Sequence, residues 1–581
     1  MQGKVTQVTQ KKRDILSRAA ALFEASFLAR QLLFVVLAFF TILLSGYYFG
    51  TFDQSIHIPF LKKEIDPTLF PGDPFFDLRK THFSYFWYMF HPFYKAGLLE
   101  IGLFLVHFFA TYLTFWAVWR LSVTLFRSSS TAFLCVLAIV LPHLGFAAFP
   151  LFEFSLLNRT FVFPFLLLSI EWYLKKQYLR SFFLLGLLFN LHALSVNFVI
   201  FMYAVDIFLQ YLRGGLKDRK KAIGIAMVVF VAAALPVLIW KFGKSPIDFT
   251  LRYEWFEIIT RSLMYTVFYP ISTFPNVLLL TGSGVSAFLI YFMNKNLSSL
   301  SPYARNITNF FYAALTLIVL EVFVSFWFPV TVLVQFQIVR IGIFVLLFGY
   351  LFYIHAIVSR YQNGQISGSM FAMLFASVAI SPTPIVPFLI GVLSRIARFP
   401  LKIFIGWLVI GVCFCLMGWY AFSTDIWRPG ISLYPQKTDW VAVQLWAKTN
   451  TPKDALFVTP PERWWLFEPD WRVFSERSTL VTLSEVLEFA FTPEYTDSWK
   501  TRFSKVAPGA LDQFGVDILE SKRQTRDAYE SLSDEQLQSL ATEYNLSYIV
   551  VARPRVLPFP LVYQNDSFSV YRFPRLFALA R

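Results

Sequence analysis

Charge is scarce in this 581-residue chain, at 15% of residues against 56% hydrophobic. That balance excludes an ordinary soluble protein and a disordered one, both of which need more polar surface. Cysteine is scarcer still. The chain has 3, and Cys135, Cys413 and Cys415 all lie in or beside apolar runs. The hydrophilic tail therefore holds neither a disulfide nor a cysteine-based metal site. It also lacks a Gly-rich phosphate loop, His/Cys metal spacing and a nucleophile elbow, so it reads as a docking or lid module, not a second enzyme.

Long apolar runs are abundant, and Phe alone contributes 69 residues. Stretches 31–50, 97–119, 131–149, 222–240, 308–328, 341–358 and 403–422 approach the roughly 20 residues that cross a bilayer. The expected fold class is a polytopic α-helical membrane protein of about 13 spans with a C-terminal extracytoplasmic α/β domain. The first run is too long for a signal peptide, and no small-residue cleavage site follows it, so it is expected to remain as a span.

The net charge of +15 is uneven. Residues 423–581 carry 18 Lys and Arg against 20 Asp and Glu, leaving 33 basic and 16 acidic residues in the apolar part. The excess flanks the spans, which fits cytoplasmic anchors and gives no support to nucleic-acid binding. Lys11-Lys12-Arg13, Arg120 with Arg127, Lys175-Lys176 with Arg180, Lys295 with Arg305, and Arg395 with Lys402 can all share the cytoplasmic side.

This expectation divides the chain into a cytoplasmic segment 1–30, a membrane domain 31–422 with exterior loop 51–95, and an extracytoplasmic domain 423–581. It requires 181–212 and 367–393 to be helical hairpins, with bends at Asn190-Leu191-His192 and Ser381-Pro382-Thr383-Pro384. Lys62-Lys63 and Arg79-Lys80 run against it, because they fall in the exterior loop. Three further exterior segments follow: 150–160, 241–275 and 329–340.

In the tail, helical spacing from Asp439 ends at Asn450-Thr451-Pro452, before a strand-like 455–458. A helix is expected from Ser533 to Tyr544, then a strand at 548–551 and a hairpin around Asn565-Asp566.

The candidate chemistry lies at the exterior segments. Asp53 stands just after the first span, where a carboxylate can act as a base or hold a divalent cation near a phosphate; a helix-capping role competes. His57 shares a helix face with Asp53 if the segment is helical. Asp66 and Asp73 each precede Pro, which also fits turn formation, and Asp77 follows; with Asp53, Asp73 is the candidate metal ligand. Arg340 and Arg159 each open an apolar span and can either bind a phosphate or snorkel as anchors. His192, Glu171, Asp206 and Glu321 are polar groups within or beside spans, costly there unless partnered.

Several stretches carry a family resemblance. They are Phe52-Asp53-Gln54 with Asp66-Pro67 and Asp73, then Asn158-Arg159-Thr160, Leu188-Phe189-Asn190-Leu191-His192, and Gln335-Phe336-Gln337-Ile338-Val339-Arg340. The tail adds Trp446-Ala447-Lys448-Thr449-Asn450-Thr451-Pro452. With this arrangement the chain resembles the GT-C superfamily of membrane glycosyltransferases, most of all its bacterial multi-span group. The resemblance implies a plasma-membrane enzyme that moves a sugar from a polyprenyl-phosphate donor to an acceptor outside, with Asp53 catalytic. It also implies Arg340 and, less directly, Arg159 on the lipid phosphate, Asp73 and His57 as substrate contacts, and a divalent cation as the one candidate cofactor.

The chain departs from that superfamily's patterns in two places. Asp53 is followed by Gln54 in place of a second acid, and Trp464-Trp465 is followed by Leu466 in place of Asp. A transporter or flippase of lipid-linked or amphipathic solutes is the competing class, although no internal repeat supports it. A non-catalytic envelope assembly protein is the third.

Overall fold

The computed structural model describes residues 20–145, 149–215, 219–244, 247–262, 281–295, 301–396, 402–515 and 518–574. The apolar part is helical, beginning with α1 (Phe27–Ser45), α2 (Gln54–Ile65), α3 (Leu99–Phe126) and α4 (Asn158–Leu174). It continues through α5 (Tyr178–Leu212), α6 (Lys220–Lys244), α7 (Ala304–Phe326), α8 (Gly342–Gln362) and α9 (Lys402–Ser423). Among the described residues, 7 helices are long and apolar enough to cross a membrane: all of these except α2 and α4. The stretch containing α8 is 94% buried against 11% for that of α9, so α8 is encased by protein and α9 lies at the periphery.

The longest helix, α5, is 35 residues, but His192 interrupts it with φ −156° and ψ 83°. A straight helix would separate Ser181 and Tyr203 by roughly 33 Å. Their hydroxyls instead lie 3.3 Å apart, and the Phe182 and Tyr203 rings are 5.7 Å between centroids. The chain therefore doubles back at His192, which makes 181–212 the hairpin its bend residues suggested. Asn190 fixes the bend by inserting its amide into α6, donating to Ala233 O at 2.8 Å and accepting from Val237 N at 3.1 Å. Pro236 interrupts the α6 ladder beside that insertion.

The expected span 131–149 is corrected by the structure. The helix there runs only Ser129–Ala138, about 15 Å, because Pro142 and the His143 bonds to Ala138 O and Ser381 O divert the chain. Its end meets the second bend through Leu144 N to Pro382 O at 2.7 Å. That bend joins the helices Gly368–Ala379 and Ile385–Ile396, each 12 residues long. The part of the exterior segment 241–275 beyond Ser262 lies outside the described residues.

The tail forms a mixed five-stranded sheet. Parallel strands β3 (Leu456–Val458), β4 (Ser478–Thr479) and β5 (Tyr548–Ala552) are extended by the antiparallel hairpin β6 (Leu561–Gln564) and β7 (Phe568–Arg572), in the order β4-β3-β5-β7-β6. Helix α10 (Asp439–Asn450), capped by Thr438, covers one face with Trp440, Val443 and Ala447. The other face carries Trp499, Phe503, Tyr529 and Leu537 in a core that also holds Ile56, Phe60, Phe75 and Leu78 from the first loop. A two-residue parallel pairing of β1 (Tyr47–Tyr48) with β2 (Ile431–Ser432) adds a second join. Loop and tail thus share one core, so the tail is no detachable lid.

Of the four basic residues that run against the charge pattern, Lys62 and Arg79 are held in ion pairs here, whereas Lys63 bonds backbone carbonyls and Lys80 stays exposed beside Asp77. Lys62 is buried, donating to Glu476 Oε1 and Val473 O, both at 2.8 Å. Arg79 pairs with Glu64 at 2.7 Å. Charges held by internal ion pairs carry no topological information.

Candidate functional site

Asp53 sits at the start of α2, directly after Phe52, whose φ of +50° is rare for a bulky residue. That conformation is held by Trp464, which stacks on the Phe52 ring at 5.7 Å and donates its indole N–H to Phe52 O at 3.0 Å. Gly50, at φ +80°, cannot carry a side chain, because a Cβ would lie 2.9 Å from Phe474 and Val473. Gln54 is buried, accepting from Gly50 N at 3.0 Å and donating to Leu156 O at 3.2 Å. A carboxylate could not make that second bond, so the amide after Asp53 is required by packing.

The fixed loop brings Asp53 to Arg159. Arg159 Nη2 lies 2.8 Å from Asp53 Oδ2, and its Nε lies 2.5 Å from Glu153 Oε1. One guanidinium thus bridges two carboxylates from separate segments, at the amino-terminal end of α4. Such charge-assisted bonds fix geometry as well as adding attraction.

Arg340 lies across a cavity of about 60 Å³ whose wall also includes Arg159, Glu153, Thr114, Ser195 and Phe149. That is room for about four waters. Gln337, in the left-handed region at φ +46°, starts the turn that delivers Arg340 to the head of α8. The Arg340 guanidinium lies 4.4 Å over the Phe149 ring, and its Nε meets no hydrogen-bond partner. Among the described residues no carboxylate lies within ion-pair distance of it. A half-buried cation without an anion is costly, whereas a phosphate in this cavity would satisfy it.

The remaining candidates separate into different environments. His57 lies one turn beyond Asp53, buried beneath Trp87 at 4.8 Å and edge-on to His82 at 5.0 Å. Burial holds its imidazole well below the ordinary range. His192 bonds Ser195 Oγ at 2.8 Å, behind the cavity wall. Asp66 is a turn residue that accepts from Thr68 N and Lys453 Nζ, both at 3.0 Å. Asp77 pairs with Lys80 at the surface.

Asp73 departs from the expectation of a substrate or metal contact. It is buried, its Oδ2 2.7 Å from Arg472 Nε, and it caps the short helix after it by accepting from Phe75 N. Arg472 also reaches Glu485 at 2.9 Å, and Glu485 accepts from Tyr495. Against the burial penalty, Asp73 and Glu485 hold the Arg472 guanidinium firmly charged. The network leaves Asp73 no access to a ligand, and the loop acid works as a fastener between loop and tail.

Of the carboxylates near the spans, Glu171 meets Arg120 and Lys175. Asp206 is bonded by Tyr173, Gln210, Asn306 and Asn309. Glu321 accepts from Ser325 on one oxygen, while the other finds no partner among the described residues.

Sequence reasoning missed His82 and Glu488, which meet at 3.0 Å beside His57. They are about 400 residues apart, and no local spacing links them. The role of Trp464 also depends wholly on the fold.

The geometry defines an integral membrane protein with a polar site at one end of its bundle, completed by a mixed-sheet domain. Residues 438–506 match the model of a domain of unknown function, DUF6798. That portion opens at the cap of α10 and supplies Arg472, Glu485 and Glu488 to the junction with the loop. No curated protein matches the chain.

Proposed function

We propose that the chain is a GT-C-type glycosyltransferase moving a sugar from a polyprenyl-phosphate donor to an acceptor at the extracytoplasmic membrane face. The observation that carries this reading is the unpaired Arg340 guanidinium in the cavity wall it shares with Arg159, which bridges Glu153 in that wall to Asp53 behind it. A phosphate on Arg340 would leave the anomeric carbon on the side of the acid. The acceptor oxygen or nitrogen attacks that carbon, and the bond from carbon to phosphate oxygen breaks. Asp53 receives the acceptor's proton, while Arg340 stabilises the charge on the departing lipid phosphate. Arg159 holds the Asp53 carboxylate at 2.8 Å and aims it, which positions the base before the acceptor arrives.

The membrane arrangement supports the same side for all these groups. Asp53, Arg159, the His192 bend and Arg340 gather at one end of the bundle. The Arg120–Glu171–Lys175 cluster occupies the opposite ends of α3 and α4. About 13 passages, with the tail opposite the amino terminus, is part of this proposal; it adds the two arms of the α5 hairpin and the shorter apolar helices Ser129–Ala138, Gly368–Ala379 and Ile385–Arg395 to the other long helices.

The test is transfer by the purified chain in lipid nanodiscs, given a panel of polyprenyl-phosphate sugars and a membrane extract as acceptor source. Wild type releases polyprenyl phosphate; Asp53→Asn and Arg340→Ala do not. Release that persists unchanged in both variants removes this reading.

A further inference from the structure

A second cluster, one helical turn from Asp53, joins three distant parts of the chain. His57 comes from α2, His82 from the loop that follows, and Glu488 from the tail. One ligand-type atom from each lies within 4.8 Å of the other two. His82 Nδ1 is 3.0 Å from Glu488 Oε2. His57 is about nine-tenths buried, its ring packed against those of His82 and Trp87. A buried imidazole grouped with another imidazole and a carboxylate makes a compact donor set for a metal ion.

The space is small. His57, His82, Ser84 and Trp87, together with the paired Arg79 and Glu64, line a cavity of about 10 Å³, room for about one water or one ion, and Glu488 reaches His82 from outside that wall. Two imidazoles on one tetrahedral ion place their ring centres roughly 5 Å apart. The His57 and His82 centroids are 5.0 Å apart, with the rings at 75°. Trp87 holds the His57 ring by stacking, which fixes the direction of its nitrogens. Two arginines lie near, but Arg79 is paired with Glu64 and Arg159 with Asp53 and Glu153, which offsets their repulsion of a cation.

We propose that His57, His82 and Glu488 form a zinc site that clamps the first loop to the DUF6798-matching domain. Two imidazoles and one carboxylate are a zinc donor set, and imidazole disfavours magnesium and calcium. Full coordination draws the three donor atoms to about 3.4 Å apart, a movement of roughly 1 Å at side-chain tips. The fourth position remains open to water or to a substrate oxygen. The site stands on these three residues alone and holds whether or not the chain transfers sugar.

The experiment uses the full chain, purified in detergent on a tag without histidine, stripped with chelator and titrated with zinc chloride. Wild type takes up one zinc per chain. His82→Asn and Glu488→Gln lose more than about a hundredfold in affinity, beyond the usual cost of an outer-shell change. X-ray absorption of the zinc-loaded wild type reads the ligands directly, whether or not either variant folds, and shows two imidazoles. Absence of zinc uptake, a spectrum without imidazole, or variants that titrate like wild type would each overturn the site.

Discussion

Arg159 joins Asp53 to Glu153, holding the first acid at 2.8 Å and the second at 2.5 Å. The loop acid is therefore aimed by a residue from the head of a helix about 100 positions away. Replacing Arg159 by Lys keeps a charge but cannot bridge two carboxylates in a plane. Transfer by Arg159→Lys is expected to fall about tenfold to a hundredfold with little change in donor affinity, read as a drop in kcat with KM nearly constant. A purely structural arginine would instead lower the amount of folded protein and leave the turnover of what remains unchanged.

Asp53→Asn preserves size and most of the packing while removing the base. The expected loss of turnover is about a hundredfold to ten-thousandfold, the range of general-base catalysis. Binding of polyprenyl phosphate, measured by quenching or calorimetry in nanodiscs, should remain within about threefold of wild type, because the acid does not hold the lipid phosphate.

For Arg340 the expectation is the reverse. Arg340→Ala should weaken polyprenyl-phosphate binding by about tenfold to a hundredfold, the value of a charged hydrogen bond. Arg340→Lys should recover part of it, since a point charge still attracts phosphate without bidentate geometry.

Asp73 and Arg472 meet in the buried core between loop and tail. Removing one partner strands the other's charge, so Asp73→Ala should destabilise the loop–tail junction by about 3–5 kcal/mol. Thermal unfolding followed by proteolysis of the tail measures it. Had Asp73 been an exposed ligand to substrate, the same change would leave the melting temperature near that of wild type.

The helices of the membrane part were readable because uninterrupted Phe, Leu and Val runs leave few alternatives to a helix in lipid. The His192 hairpin was readable from Asn190 and His192, polar groups that only a bend or a partner explains. The stretch after Ala138 was not. Its apolar composition continues while Pro142 and His143 redirect the backbone, and hydropathy does not sense direction. Asp53 was visible from its place just after the first span, and Arg159 and Arg340 from theirs at the heads of later ones. The diversion of Asp73 was hidden, because its partner Arg472 lies 399 residues away and only tertiary packing unites them.

Burial pushes the Glu462 carboxyl up from 4.5 to about 7, with Arg463 and Lys522 opposing. A raised carboxyl binds its proton more tightly when folded, so the contribution to stability is greatest near pH 4.5 and declines as pH rises to about 7. Glu462→Gln should flatten that decline and melt higher than wild type at pH 8, in thermal unfolding compared across pH. A variant that melts lower at pH 8 would show that the charged form is the stabilising one.

The central claim is that Arg340 receives the donor's phosphate within reach of Asp53. The most direct measurement is a cryo-electron-microscopy structure of the chain in nanodiscs with a polyprenyl-phosphate sugar. The account predicts phosphate density within hydrogen-bond distance of the Arg340 guanidinium, with the sugar turned toward Asp53. A phosphate bound elsewhere, with the cavity between Arg159 and Arg340 holding only water, would contradict it.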